Sequence, residues 1–401
     1  MQVASNRVRA AADSFEPIRQ FYFQSRYADR RGDPGICDFT FGNPHEMPLP
    51  GLVEAIRHHA VPCNKDWFAY KTSESGPQAL LAERLGQELS LPFEPADIAL
   101  TNGAMAAIAV AFRLLLDAGS EAIFSTPAWF CYEPMLLAAD AVPRKVRLQG
   151  ERFDLDLSAI NAVISSRTRV VIINTPHNPT GRIYSRDQLT ALAELLNRAS
   201  ERIGRRIFIL SDEPYRRIRF DGHDFISPAA VYPWTLISYS YGKVLLAPGQ
   251  RLGYLALSPL MPSEDKQAIQ DSLFAAQMAL GWCFPNAVMQ YAVPDLEGLS
   301  IDMHALTAKR ARMTAALEQA GYDVLEPEGT FYLFCKYPGG SGEQCWDALA
   351  KRDVFVMPGR VMDVPDYFRI SLTASQPMIE RSLPVFAEVA NAIRSERQAA
   401  E

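Results

Sequence analysis

From residue 97 onward the chain alternates short apolar runs, polar loops and amphipathic stretches. The runs are Ile98-Ala99-Leu100, Ala122-Ile123-Phe124-Ser125, Val170-Val171-Ile172-Ile173, Ile207-Phe208-Ile209-Leu210 and Leu236-Ile237-Ser238-Tyr239. The unbroken β-branched run at 170–173 predicts a strand covered on both faces. Helical spacing lies between the runs, from Ala104 through Leu116 and from Leu189 to Leu196. Strand, polar loop, helix, strand predicts a mostly parallel sheet with helices on both sides. Ligands of such sheets sit beyond the carboxyl ends of the strands. Trp129, Asn178, Asp212, Tyr215 and Lys243 fall at those ends.

The flanks read differently. Phe15, Ile18, Phe21, Tyr22 and Phe23 among polar positions predict an amphipathic helix over residues 14–31. Asp38-Phe39-Thr40-Phe41-Gly42-Asn43-Pro44 is a short apolar segment ending in a turn. Helices are expected from Pro50 and after Gly76. Beyond about residue 290 a long helical stretch (301–320) precedes strand-like segments at 322–325, 331–334, 354–357 and 366–372, and a final helix covers 378–394. The pattern predicts an α/β fold. A large domain (49–290) holds a mostly parallel sheet sandwiched by helices. A smaller α+β domain (291–401) follows, joined by an N-terminal segment (1–48). No repeat or low-complexity tract interrupts this plan.

Composition narrows the classes of function. A chain of 401 residues has room for a large core. A net charge of -6 argues against a nucleic-acid binder. No apolar run approaches a membrane span, and residues 1–13 lack a signal-peptide core, so a cytoplasmic location is expected. The six cysteines are scattered without a CxxC pair. That predicts reduced, buried thiols, with no zinc, no other metal and no disulfide.

The chemistry gathers around Ser240-Tyr241-Gly242-Lys243, with Arg251 eight residues beyond the lysine. Lys243 reads as an amine that forms a Schiff base with an aldehyde cofactor, and Ser240 and Arg251 as groups that grip its phosphate. Thr101-Asn102-Gly103-Ala104-Met105 is a turn that opens a helix, where free N–H groups and the helix dipole favour an anion. Gly42 either serves its turn or leaves a backbone N–H open to a ligand. Each feature also has a plain structural reading: Asp212 as a turn cap, Asn178 as part of a turn, Trp129 as core packing, Arg369 as a surface ion pair.

Asn178-Pro179-Thr180-Gly181, then Asp212-Glu213-Pro214-Tyr215, then Ser240-x-x-Lys243 with Arg251, each at a strand end and in this order, resemble the class I/II aminotransferase family that includes aspartate aminotransferase. The resemblance covers nearly the whole chain and implies a pyridoxal 5'-phosphate (PLP) enzyme of fold type I. It implies that Asp212 stabilises the protonated pyridine nitrogen, that Tyr215 and Asn178 bond the ring's 3-oxygen, and that Trp129 stacks on the ring. The phosphate would be held by the N–H groups of Gly103, Ala104 and Met105, with Ser240 and Arg251. Tyr70 would reach it across a subunit interface, making a homodimer with shared sites. Arg369 would clamp the substrate α-carboxylate with help from the Gly42 N–H. Catalysis would rest on Lys243, Asp212 and Tyr215, moving an amino group between an α-amino acid and a 2-oxo acid by ping-pong chemistry.

Some positions depart from the family pattern. Gly242 stands where relatives carry a small hydroxyl residue, and Met105 where many have a polar one. Gly76 follows Tyr70 by six residues, one more than the common spacing. Neither Gly281-Trp282-Cys283-Phe284 nor the segment before it offers an arginine for a second substrate carboxylate, so strict aspartate or glutamate specificity is not expected. His45 and Glu46 stand near the site as substrate contacts or as a solvated loop. The same residues also suit a PLP-dependent lyase or γ-substituting synthase, because removal of the α-proton is common to all three. A non-catalytic regulator on the same body ranks below both.

Overall fold

The computed structural model describes residues 3–281, 284–339 and 341–400, and among these twelve strands form two sheets. β1 (Cys37–Phe39) comes first. Then come β2 (Ile98–Thr101), β3 (Glu121–Thr126), β4 (Val142–Arg147), β5 (Thr168–Asn174), β6 (Phe208–Asp212), β7 (Thr235–Ser240) and β8 (Gly253–Leu257). β9 (Asp323–Leu325), β10 (Tyr332–Lys336), β11 (Val354–Pro358) and β12 (Tyr367–Ser371) follow.

The larger sheet has the order β2-β8-β7-β6-β5-β3-β4. The five strands from β7 to β4 run parallel, and β8 is antiparallel to both its neighbours. Every residue of β6, β7 and β8 is buried. Strands covered on both faces need apolar residues at successive positions, so they read as continuous apolar runs. Parallel register also aligns their ends. Asn174 of β5 lies beside Asp212 of β6, and Asp212 beside Ser238 of β7. Three polar residues distant in sequence thus become lateral neighbours.

The smaller sheet has the order β1-β11-β12-β10-β9. β1 joins it parallel to β11, with Phe39 opposite Val356, while the other pairings are antiparallel. Arg369 sits in β12, opposite Phe334 on one side and Met357 on the other.

Several elements differ from the sequence reading. The single helix expected over 14–31 is three: Asn6–Ser14, Glu16–Gln24 and Arg26–Arg30. Ser25 breaks the run with an extended backbone (φ -97°, ψ 172°), and its hydroxyl caps the third helix through the Tyr27 N–H. β4 has no sequence counterpart because its charged and Pro residues conceal an edge strand. The helices at Ser263–Ala279 and Gly342–Ala350 were also not expected.

Beneath β7 and β8 lies a core containing Leu100, Tyr239, Tyr241, Tyr254 and Leu296. Arg216 penetrates it with no side-chain exposure. It pairs with Glu88 at 3.0 Å, and its guanidinium lies 4.1 Å from the Tyr239 ring centre. Arg217 pairs with Glu297 at 2.7 Å, and the Tyr241 hydroxyl also bonds Glu297. A buried charge is tolerated only when paired in this way. The network supports the end of β7, three residues before Lys243.

Candidate active site

β7 ends at Ser240, whose extended backbone starts a one-turn helix, Tyr241–Val244. The Ser240 hydroxyl caps that turn, accepting the Gly242 N–H at 3.3 Å. A Cβ built on Gly242 would lie 3.0 Å from Pro248 Cα. The loop after Lys243 therefore folds against the position where the sequence pattern calls for a hydroxyl side chain. Lys243 points into a cleft of about 280 Å³ lined also by Gly42, Ala104, Met105, Trp129, Asn178, Asp212, Tyr215, Ser240, Arg251 and Arg369. Its Nζ lies 5.6 Å from the Tyr215 ring centre and 5.9 Å from that of Phe331.

One end of this cleft suits a phosphate. Gly103, at φ 82° and ψ 177°, caps the helix Ala104–Leu115. Among the described residues the N–H groups of Ala104 and Met105 have no acceptor within the protein. The Gly103 N–H differs from expectation. It donates to the Thr101 carbonyl at 2.8 Å, so it is not free for a phosphate. Gly103 instead makes room for Arg251, since a Cβ there would lie 2.8 Å from Arg251 Nη2. Arg251 Nη1 donates to the Pro248 carbonyl at 2.6 Å, which fixes the guanidinium beside the helix N-terminus. Two open amides, a guanidinium and the Ser240 hydroxyl form a set of donors that matches a phosphate dianion.

The other end suits a protonated pyridine. Asp212 is buried, and its Oδ2 accepts from the Tyr132 hydroxyl at 2.5 Å while Oδ1 accepts from Ser238 at 3.3 Å. Burial pushes its carboxyl up to about 6, although the bonds from Tyr132 and Ser238 and the charge of Lys243 pull the other way. A cationic nitrogen beside it would supply the counter-charge that burial removes. Asn174 braces the floor. It donates to the Asp212 carbonyl at 2.8 Å, and its Oδ1 accepts the Asn178 N–H at 2.7 Å. Trp129 packs edge-on against Tyr132, with ring centres 5.3 Å apart.

The third group is Arg369, 3% exposed. Its Nη1 donates to Asn178 Oδ1 at 2.8 Å and its Nη2 to the Thr40 carbonyl at 2.7 Å, while Nε has no acceptor. Tyr332 lies against its guanidinium face at 3.9 Å. Among the described residues no carboxylate forms an ion pair with it. A buried guanidinium with neutral acceptors only is costly unless an anion joins it. The Tyr332 hydroxyl meets that of Tyr215 at 3.4 Å. Burial would raise the Tyr332 phenol, but the charges of Arg369 and Lys243 outweigh it and hold it below 10. Burial and the Tyr332 neighbour drive Tyr215 well above 10.

Tyr70 does not join this cleft. It stands fully exposed at 108%. Glu46 is tied to Lys309 at 2.7 Å, which fixes it to the helix Met303–Ala320. Trp282 and Cys283, part of the segment without an arginine, lie outside the described residues. Tyr132, Asn174, Ser238 and Tyr332 were not singled out from sequence. Tyr132 and Asp212 are 80 residues apart and meet only in the fold, whereas Ser238 sits two positions before Ser240.

Comparison with known proteins identifies the family. The family description "Aminotransferase class I and II" matches residues 35–384. A probable aspartate/prephenate aminotransferase of Aquifex aeolicus is 28% identical over 359 residues, covering 85% of this chain and 87% of its own. Kynurenine–oxoglutarate transaminase 1 of Mus musculus is 29% identical over 273 residues, 63% of each chain. The crystal structure of an amino transferase from Eubacterium rectale superposes with a TM-score of 0.84 at 28% identity, covering 98% of this chain and 96% of that one. With a family match across most of its length and a fold to go with it, this chain belongs to the class I and II aminotransferase family and is a PLP-dependent aminotransferase of fold type I.

Proposed function

We propose that the enzyme moves the amino group of an α-amino acid to a 2-oxo acid in two half-reactions, with Lys243 as the residue that holds the cofactor covalently. The observation that carries this reading is the pairing of Lys243 with Arg369 in one cleft. One is an amine; the other is a buried guanidinium whose charge no described carboxylate balances. An α-amino acid brings both an amine and a carboxylate.

When bound, PLP supplies an electron-withdrawing ring that makes the substrate α-proton acidic. Arg369 grips the α-carboxylate by its planar fork, with the Gly42 N–H beside it. That grip fixes which substituent of Cα faces Lys243. Lys243 Nζ acts as general base on the α-proton and then as the acid that returns it. Asp212 holds a proton at the ring nitrogen by charge, and the Tyr132 and Ser238 hydroxyls offset part of the burial that disfavours its ionised form. Tyr215 and Asn178 donate to the ring oxygen. Trp129 covers the ring face, and Ala104, Met105, Ser240 and Arg251 hold the phosphate.

The reading extends to organisation. It divides the chain at 1–48, 49–290 and 291–401, which the two separate sheets and the β1–β11 pairing support. It takes the enzyme as a cytoplasmic homodimer with Tyr70 reaching the phosphate of the other subunit. Support comes from the exposed apolar side chains of the same stretch of chain, Val61 at 65% and Phe68 at 60%. The test is borohydride reduction followed by peptide mapping, with Lys243→Ala beside the wild type. The reduced cofactor mass is expected on the Lys243 peptide, and the variant should lose both the label and nearly all turnover. Label on another lysine, or an active variant, overturns the assignment.

A further inference from the structure

We infer that the substrate side chain is neutral and bulky, an aromatic or large aliphatic group, and that Phe41 and Phe130 select it. This rests on the amino-transfer reading above and adds the substrate class. Among the described residues lining the cleft, the cations are Lys243, Arg251 and Arg369. Each already has a task there: the cofactor, its phosphate and the α-carboxylate. Within this chain's own cleft, none of the three remains for a second carboxylate.

The geometry places an apolar wall beside the α-carboxylate clamp. Arg369 Nη2 bonds the Thr40 carbonyl, so the clamp and the Thr40–Phe41 stretch are held together. A Cβ built on Gly42 would lie 2.8 Å from the Tyr332 hydroxyl, and the Tyr332 ring faces the Arg369 guanidinium. An amino acid held by Arg369 therefore carries its side chain past Phe41. Trp129, Phe130 and Ile108 line the same cleft. The polar residue added by this part of the wall, Asn43, is uncharged.

The N-terminal helices hold these rings. Phe41 packs edge-on against Tyr22, with centres 5.6 Å apart, and Phe130 against Phe15 at 6.0 Å. Phe130 and Trp129 also line a second cavity of about 270 Å³ together with Pro17, Lys145 and Arg360, where Lys145 is already paired with Glu133 at 2.7 Å and Asp363 at 3.0 Å. Phe130 thus acts as a partition that sets the length of side chain the cleft accepts.

A carboxylate or ammonium placed against these rings would lose its water without gaining a partner. A neutral ring would bury apolar surface against them. The holoenzyme, mixed with single amino acids and followed by the change in cofactor absorbance, should show a kcat/KM for L-phenylalanine or L-leucine about 100-fold or more above that for L-aspartate, L-glutamate or L-lysine. Binding without reaction gives a second readout. By calorimetry on the holoenzyme, 3-phenylpropionate should bind at least about tenfold tighter than succinate. Phe41→Ala should lower the phenylalanine-to-alanine rate ratio by about tenfold or more. Phe130→Ala should move the preference from phenylalanine toward tryptophan by opening the partition. Equal or better rates and binding with the dicarboxylates overturn the inference, as does an unchanged selectivity in both variants. If no amino acid changes the absorbance, amino transfer itself fails, and that outcome is distinct from a wrong substrate class.

Discussion

Replacing Gly103 by alanine is expected to act on folding and on cofactor binding through two separate routes. The backbone at φ 82° and ψ 177° lies in a region that glycine occupies freely. A side chain there costs ~1–3 kcal/mol. That strain is the same with and without cofactor, so it lowers Tm in both forms. The second route runs through Arg251. The added Cβ would lie 2.8 Å from Nη2 and 3.2 Å from Cζ, so the guanidinium must move. A charge-assisted bond to a phosphate contributes ~1.5–3 kcal/mol. At ~1.4 kcal/mol per tenfold, its loss raises the PLP dissociation constant about 10- to 150-fold. Titrating the apoenzyme with PLP and following tryptophan fluorescence measures this directly. Arg251→Ala should give a similar rise, and the double variant little more than either alone, because both act on one guanidinium. A dissociation constant within about threefold of the wild type, or fully additive effects, would refute the reasoning.

Arg369→Met should cut kcat/KM by about 30-fold to 5,000-fold, the ~2–5 kcal/mol of a buried charge pair. Its Tm should nevertheless equal or exceed that of the free wild type, because the charge removed has no carboxylate partner there. A Tm lowered by several degrees would contradict the unpaired-charge reading. His177 gives a pH prediction. Burial holds its imidazole down at about 3, below its ordinary 6.5, while its ring bonds the Pro127 carbonyl and, at 2.7 Å, Thr180. The folded state thus favours neutral His177. Its contribution to stability is complete above pH 6.5 and is lost as pH falls toward 3. Linkage gives a loss of ~2 kcal/mol between pH 7.5 and 5. Glu213 works in the opposite sense. Burial raises it to about 7, so the folded state regains stability as pH falls through that value. Denaturant unfolding of the wild type against His177→Gln isolates the histidine, and parallel pH profiles would show that it does not titrate as stated.

The strand ends were legible because a parallel strand covered on both faces must be continuously apolar, and Asn-Pro-Thr-Gly or Asp-Glu-Pro-Tyr must then interrupt it. That logic led to Lys243, Asp212, Asn178 and Tyr215, which the fold brings to one cleft. It missed what depends on the third dimension. The Tyr132–Asp212 bond joins residues from different loops, and no local pattern announces it. The family resemblance implies a Gly103 N–H that faces a phosphate. At φ 82° it turns back to Thr101 instead. Helix Ser263–Ala279 was hidden because few of its residues are buried, so no apolar stripe marks it. Tyr70 stands fully exposed, outside the cleft of its own chain.

The most direct test of amino transfer is a single-turnover experiment. The holoenzyme is mixed with one amino acid that it accepts, with no oxo acid present. The account predicts one 2-oxo acid released per site and the cofactor left in its aminated form, restored only when a 2-oxo acid is added. Continued release of ammonia or of a side-chain leaving group, over many turnovers and without an acceptor, would contradict it and assign the enzyme to elimination or substitution.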